Sequence, residues 1–197
     1  MINKILLLLF FVLGTFNNNI NAQDKSKPES WYTYWALGYA KPTYPSELQD
    51  LLDAINDLPG VENTAIDIDM LGFYWPVNNH RTAVGFIING GADRYEFEGE
   101  WFQINQYLYG FSAMHFFEHN IGQGFFARGD LGIAKMNLTS SEGDNESSDS
   151  GWGFLIGGGY GFPITEGTRL MLNGNYSYKK VESEVYGKVS VNLGFMF

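Results

Sequence analysis

The chain has 197 residues, with 22 acidic and 12 basic side chains for a net charge of −10, 17% aromatic residues and 24 glycines. That carboxylate excess argues against nucleic acid as a partner, because such binding rests on Lys and Arg neutralising phosphates. Zero Cys excludes disulfides and thiolate metal sites, and 17% charged residues beside so many aromatics and glycines suits a sheet-rich protein.

The amino terminus reads as an export signal. Lys4 precedes the unbroken apolar run Ile5 to Leu13, and Ala22 stands before Gln23 as a small residue suited to cleavage. The run falls far below the roughly 20 residues a spanning helix needs. No Cys follows it to carry a lipid anchor. We expect a signal peptide over residues 1–22, a polar leader over 23–29 and a single domain over 30–197. Loss of Lys4 would make the charge of the processed chain −11.

Eight segments then alternate apolar and polar residues, the period of a strand with two unlike faces. The first, Trp31 to Ala40, places Trp31, Thr33, Trp35, Leu37 and Tyr39 on one face. A helix follows it. Ser46 is a candidate N-cap, Glu47 lies in the first turn, and Pro59-Gly60 ends the segment. Its Leu48, Leu51, Leu52 and Ile55 share a face, which suits a lid, a membrane-surface helix or a cover over a barrel rim. The second segment, about 64–75, sets Ile66, Ile68, Met70 and Tyr74 against Asp67 and Asp69. The third, Thr82 to Gly90, sets Val84, Phe86 and Ile88 against Gly85 and Asn89.

The fourth, Trp101 to Phe117, sets Phe102, Ile104, Leu108, Met114 and Phe116 against Gln103, Asn105 and His115; Gln106 and Ser112 interrupt its apolar face, as a bulge would. The fifth, Phe125 to Leu138, opposes Phe125, Ala127, Leu131 and Ile133 to Arg128, Asp130 and Gly132. The sixth, Trp152 to Phe162, carries Trp152, Phe154, Ile156, Tyr160 and Phe162 over a nearly all-glycine face. The seventh, Arg169 to Lys179, opposes Leu170, Leu172, Tyr176 and Tyr178 to Asn173, Asn175 and Ser177. The eighth is the tail, where Val189, Val191, Leu193, Phe195 and Phe197 alternate with Lys188, Ser190, Asn192, Gly194 and Met196. Its length fits the roughly 9–11 residues of a transmembrane strand.

Short links at 76–81, 118–123 and 163–168 alternate with longer ones at 41–63, 91–100 and 139–151, while 180–184 is short again. Bacterial outer-membrane barrels have an even strand count, short periplasmic turns and longer external loops, which leaves both termini periplasmic. The apolar faces collect Trp31, Tyr39, Tyr74, Phe102, Phe116, Trp152, Phe162, Tyr178 and Phe197 near strand ends, as an interfacial belt would. An eight-stranded interior is just wide enough to be filled by side chains. We therefore expect Asp67, Asp69, Gln103, Asn105, Arg128, Asp130, Arg169 and Lys188 to point inward and close the lumen in charge-paired layers.

The signal sequence, the Phe197 ending and the eight-segment pattern resemble the small outer-membrane β-barrel proteins of Gram-negative bacteria, within the porin-like barrel superfamily. The segments FFARGDLGIAKMNL and GGGYGFPITEGTRLMLNGNYSY resemble strand–turn–strand stretches of that superfamily. The tail VSVNLGFMF resembles the carboxy-terminal signal read by the barrel-assembly machinery, with Val189, Val191, Leu193, Phe195 and Phe197 at the matching positions. The resemblance implies an all-β chain, an eight-stranded antiparallel up-and-down transmembrane barrel with one short helix in the first external loop. It also implies a monomer without cofactor in the cell outer membrane, in contact with outer-membrane lipids, lipopolysaccharide and the assembly machinery. A structural or surface-interaction role through external loops follows. The alternative is an OmpW-like conduit for small hydrophobic molecules, with an apolar pocket behind the helix formed by Leu71, Phe73, Tyr107 and Phe111.

Catalysis is not expected. His80, His115 and His119 cluster at the short turns, and Ser112 and His115, three apart on a strand, face opposite sides. The acids Glu142, Asp144, Glu146 and Asp149 lack the spacing of a calcium loop and read as a solvated loop.

Overall fold

The computed structural model describes residues 29–77, 81–118 and 120–197. The expected signal peptide, the leader before Glu29, His80 and His119 lie outside the described residues. The alternating segments form strands because a period of two lets one face meet an apolar medium and the other a polar interior. In chain order they are β1 (Tyr32–Thr43), β2 (Glu62–Val77), β3 (Thr82–Phe97), β4 (Glu100–Phe116) and β5 (Gly124–Ser140), then a short β6 (Asn145–Ser147), β7 (Gly151–Pro163), β8 (Arg169–Val181) and β9 (Glu184–Met196). Helix α1 (Ser46–Asn56) lies between β1 and β2.

Each long strand pairs antiparallel with the next, β5 with β7 across the β6 excursion. Strand β9 returns to β1, with Leu193 opposite Leu37. Eight long strands thus close into an up-and-down barrel without a free edge.

The apolar face is outside. Trp35, Leu37, Leu131, Ile133, Val189 and Val191 are exposed around the wall, Tyr39 is 71% exposed and Phe111 67%. The buried residues include Asp67, Asp69, Arg128, Asp130, Lys179 and Lys188. Water would not tolerate so continuous an apolar band, whereas acyl chains solvate it. Glycines on β7 make room inside: a Cβ at Gly157 would stand 2.1 Å from the Asn175 side-chain oxygen.

The structure departs from the expected faces on two strands. On β2, Asp69 pairs with Asn89 and Leu71 with Ile88, so Met70 is an extra residue without a partner on β3. This bulge moves Leu71 and Trp75 to the exposed side and buries Tyr74 completely. On β4 the faces are reversed. Ile104, Leu108, Met114 and Phe116 are buried, while Tyr109, Phe111 and Phe117 are exposed. Pairing with β3 and β5 is uninterrupted, so Gln106 and Ser112 mark the inner face rather than a bulge. Tyr74 and Phe116 therefore leave the interfacial belt, and Phe102 stacks on Tyr95 with 4.9 Å between ring centroids.

The expected link at 91–100 is mostly strand. β3 continues to Phe97, and Glu98 and Gly99, both at positive φ, make a two-residue turn. Glu182 and Ser183 do the same between β8 and β9. Strands β2 to β5 have 16 or 17 residues, more than the roughly 9–11 that cross a bilayer, so this wall projects beyond the apolar band at the helix end.

Helix α1 starts without a side-chain cap. Pro45, not Ser46, occupies the cap position, and Gln49 instead accepts a hydrogen bond from the Tyr44 amide at 3.1 Å. Leu52 is buried, and Leu48 and Ile55 pack beside it on a cluster that includes Tyr44, Tyr95, Ile104 and Val181. Leu51 faces solvent. The helix is a cover over the barrel mouth.

Candidate functional site

The interior is built in levels from inward-facing positions of neighbouring strands. Near the middle, Arg128 donates from Nη1 and Nη2 to Asp69 at 2.6 and 2.9 Å, and from Nε and Nη2 to Asp130 at 3.0 and 2.6 Å. Ser112 donates to Asp130 and accepts from the Tyr74 hydroxyl at 2.8 Å. The Arg128 guanidinium also lies 5.6 Å from the Tyr34 ring. One level toward the helix, Lys188 donates to Asp67, to Asn89 at 3.2 Å and to the Gly90 carbonyl at 3.2 Å. Ser190 and Asn192 donate to the other Asp67 oxygen, both at 2.7 Å. Asn89 ties the two levels, donating to Asp67 and Asp69 at 3.2 and 3.0 Å.

Above them Lys179, fully buried, donates to Ser177 at 3.0 Å and reaches Gln106 at 3.5 Å. Under α1, Asp93 accepts from Tyr44, Tyr95 and Asn63 at 2.8, 3.2 and 2.7 Å. Burial and then the Asp93 carboxylate push the Tyr44 phenol well above its ordinary pKa, which keeps it a donor. Toward the termini the interior is apolar, with Tyr32, Met114, Phe116, Phe126, Met171 and Met196 in one cluster.

The buried acids Asp67, Asp69, Asp93 and Asp130 equal in number the buried bases Arg128, Arg169, Lys179 and Lys188, of which Arg128 and Lys188 pair with carboxylates. An isolated ion in such a medium costs several kcal/mol, so each must find a counter-charge or hydrogen bonds. Between Lys188, Gln106 and Asp93 the remaining void is about 10 Å³, room for about one water. The larger hollows are on the outer wall and the rim.

Of the residues expected inside, Asp67, Asp69, Arg128, Asp130 and Lys188 are brought together, and Arg169 is also buried but stands apart. It donates to the Gly167 carbonyl at 2.9 Å and lies 5.2 Å from the Tyr32 ring. Gln103 and Asn105 do not join them. Because the β4 faces are reversed they lie on the outer side of the wall, where Gln103 donates to Asn105 at 2.6 Å and Asn105 to Thr139 at 3.5 Å. Asn89, Ser112, Tyr74, Gln106 and Lys179 also face the interior: Asn89 stood on an expected polar face, whereas Tyr74, Gln106 and Ser112 stood on expected apolar ones. Lys179 was legible as the next step of the alternation Asn173, Asn175, Ser177.

Ser112 and His115 stay apart: the serine is held by Tyr74 and Asp130, the histidine by Thr82 on the outer side at 2.9 Å. Leu71, Phe73 and Phe111 line a hollow of about 440 Å³ on the outer wall rather than a pocket behind α1. Val189, Val191, Leu193 and Phe197 are exposed on β9 and at its end, and the Phe197 backbone pairs with Thr33 at 2.7 and 3.1 Å.

The net charge lies at one end. Residues 41–62, 94–101, 135–149 and 180–184, all toward the helix end, hold fourteen acidic and four basic side chains. That difference equals the −10 of the whole chain.

The closed eight-stranded fold has counterparts among solved structures. Neisserial surface protein A matches with a TM-score of 0.54 at 13% identity, over 85% of this chain and 96% of that one. The fold is that of the small eight-stranded outer-membrane β-barrels. The Yersinia pestis attachment invasion locus protein Ail, solved with the heparin analogue sucrose octasulfate, matches with a TM-score of 0.47 at 18% identity, over 86% of this chain and all of that one. The amino-terminal barrel domain of Pseudomonas aeruginosa OprF matches with a TM-score of 0.43 at 15% identity, over 86% and 98%. No family model and no curated protein matches the chain. The barrel's buried polar groups close its own interior.

Proposed function

We propose that the barrel is a surface-interaction protein, with both termini in the periplasm and the acidic helix end facing outward. The observation that carries this is the pairing of a filled interior, in which buried acids and bases are equal in number, with a helix end that carries a net charge of −10. A filled interior favours a rigid post over a pore, and a dense negative field raises the local concentration of cationic partners. In this reading the outward side chains of the carboxy-terminal segment, Val189, Val191, Leu193, Phe195 and Phe197, serve as the assembly signal. Lipopolysaccharide and other outer-membrane lipids surround the wall.

Two measurements test it. Ser183→Cys should react with a membrane-impermeant maleimide on intact cells, and Ile164→Cys only after the envelope is opened. Purified protein in planar bilayers should show no large stepwise conductance, and vesicles bearing it should adhere to polylysine-coated beads in a salt-sensitive way. Large conductance would favour the conduit instead; the reverse labelling pattern would refute the orientation.

A further inference from the structure

We propose that the cleft between α1, the tip of the β3–β4 hairpin and the loop after β5 binds linear polyamines, alkyl chains with spaced ammonium groups. The idea deepens the surface-interaction reading and depends on it for access from outside the cell. The cleft encloses about 290 Å³, at the lower edge of ligand-pocket sizes. Tyr95, Phe97, Trp101 and Phe102 supply its aromatic surface; Glu96, already paired with Arg94, lines it too, and Glu100, Glu142 and Asp144 add three further carboxylates. None of the four ion pairs among the described residues uses those three acids. Ser140 lines the same cleft, and its buried hydroxyl has no hydrogen-bond partner among the described residues.

Aromatic faces beside carboxylates recognise organic ammonium groups, through the ring quadrupole and through Coulomb attraction at a partly desolvated surface. The rim already shows this chemistry within the chain. The Arg94 guanidinium lies 4.5 Å from the Trp101 ring centroid and 3.0 Å from Glu96. A metal ion fits less well. Calcium takes 6–8 oxygens around one point, and among the described residues no three acidic or histidine side chains converge to hold a metal. A lining that mixes carboxylates with aromatic rings instead suits ammonium groups joined by methylenes, the charges meeting the acids and the alkyl segments the rings. The surrounding field raises cation concentration over the whole end, and the cleft adds walls that fix such a chain.

The test uses the full processed chain in detergent or nanodiscs, with spermidine titrated calorimetrically in buffer containing millimolar Mg²⁺. Saturable one-to-one binding is expected. Trp101→Ala should weaken it about tenfold, as should the pair Glu100→Gln/Glu142→Gln. The pair Glu182→Gln/Glu184→Gln removes the same charge from the same end outside the cleft and should change affinity less than about twofold. Heat-modifiable gel migration verifies that each variant is folded; if Trp101→Ala does not fold, the two glutamate pairs decide. Equal weakening by both pairs, displacement of spermidine by Mg²⁺ at matched ionic strength, or no saturable binding would overturn the proposal. Continued salt-sensitive adhesion to polylysine beads alongside such a failure would leave the broader surface role standing.

Discussion

Replacing Arg128 by Met removes the one cation shared by Asp69 and Asp130 while keeping most of the side-chain volume. Both carboxylates are fully buried in their ion pairs, so they cannot turn to bulk water. Breaking a buried ion pair by deleting one partner typically costs about 3–5 kcal/mol, because the remaining charge stays desolvated. Here two carboxylates are stranded, with Asn89 and Ser112 left as their donors. The loss should therefore reach the upper part of that range. The assay is equilibrium urea unfolding from lipid vesicles, followed by tryptophan fluorescence and heat-modifiable migration. Arg128→Met/Asp69→Asn/Asp130→Asn should recover at least about 2 kcal/mol, since neutral amides remove the stranded charge. The reasoning fails if Arg128→Met lies within about 0.5 kcal/mol of the parent, the range of an ordinary surface substitution. It fails equally if the neutralised triple variant is no more stable than the single one.

Other outcomes follow from the same geometry. Tyr74→Phe leaves Ser112 without its phenolic donor and should cost about 1 kcal/mol in the same unfolding assay. Deleting Met70 removes only the unpaired residue of β2 and should still yield a heat-modifiable barrel. Deleting Ile68 shifts the preceding register, turns Asp67 toward lipid, and should abolish that gel shift. Ser183 sits at φ 73 in a tight turn, so Ser183→Gly should raise stability by roughly 0.5–1 kcal/mol, relief of left-handed strain outweighing glycine's chain entropy.

Strand faces were legible wherever one side is clearly polar. On β5, Arg128 and Asp130 alternate with Leu131 and Ile133; on β9, Lys188 and Asn192 alternate with Val189, Val191 and Leu193. Side-chain direction there is a local property of an extended backbone, so the order of residues alone assigns it. The even number of such segments suits closure of an all-antiparallel up-and-down barrel, because an odd count would bring the first and last strands together in parallel.

β4 carried no such signal. Phe102, Leu108, Met114 and Phe116 on one side compete with Tyr107, Tyr109, Phe111 and Phe117 on the other. Hydrophobicity cannot separate lipid from the apolar floor of the barrel, which Met114 and Phe116 help to fill. The register set by β3 and β5 decides, since it places Ser112 opposite Gly85 and Asp130. The Met70 bulge is likewise a matter of three strands fitting together, and it alone turns Tyr74 inward. Gln103 and Asn105 were misplaced with the rest of β4.

The sequence by itself determined the barrel, its inverted faces and most of its charged interior, because each depends on a period of two read along one strand. Only the tertiary structure decided which side of β4 meets lipid, where β2 changes parity, and how α1 and the β3–β4 tip enclose an acidic aromatic cleft. Those features depend on contacts between segments far apart in the chain, which no local period encodes.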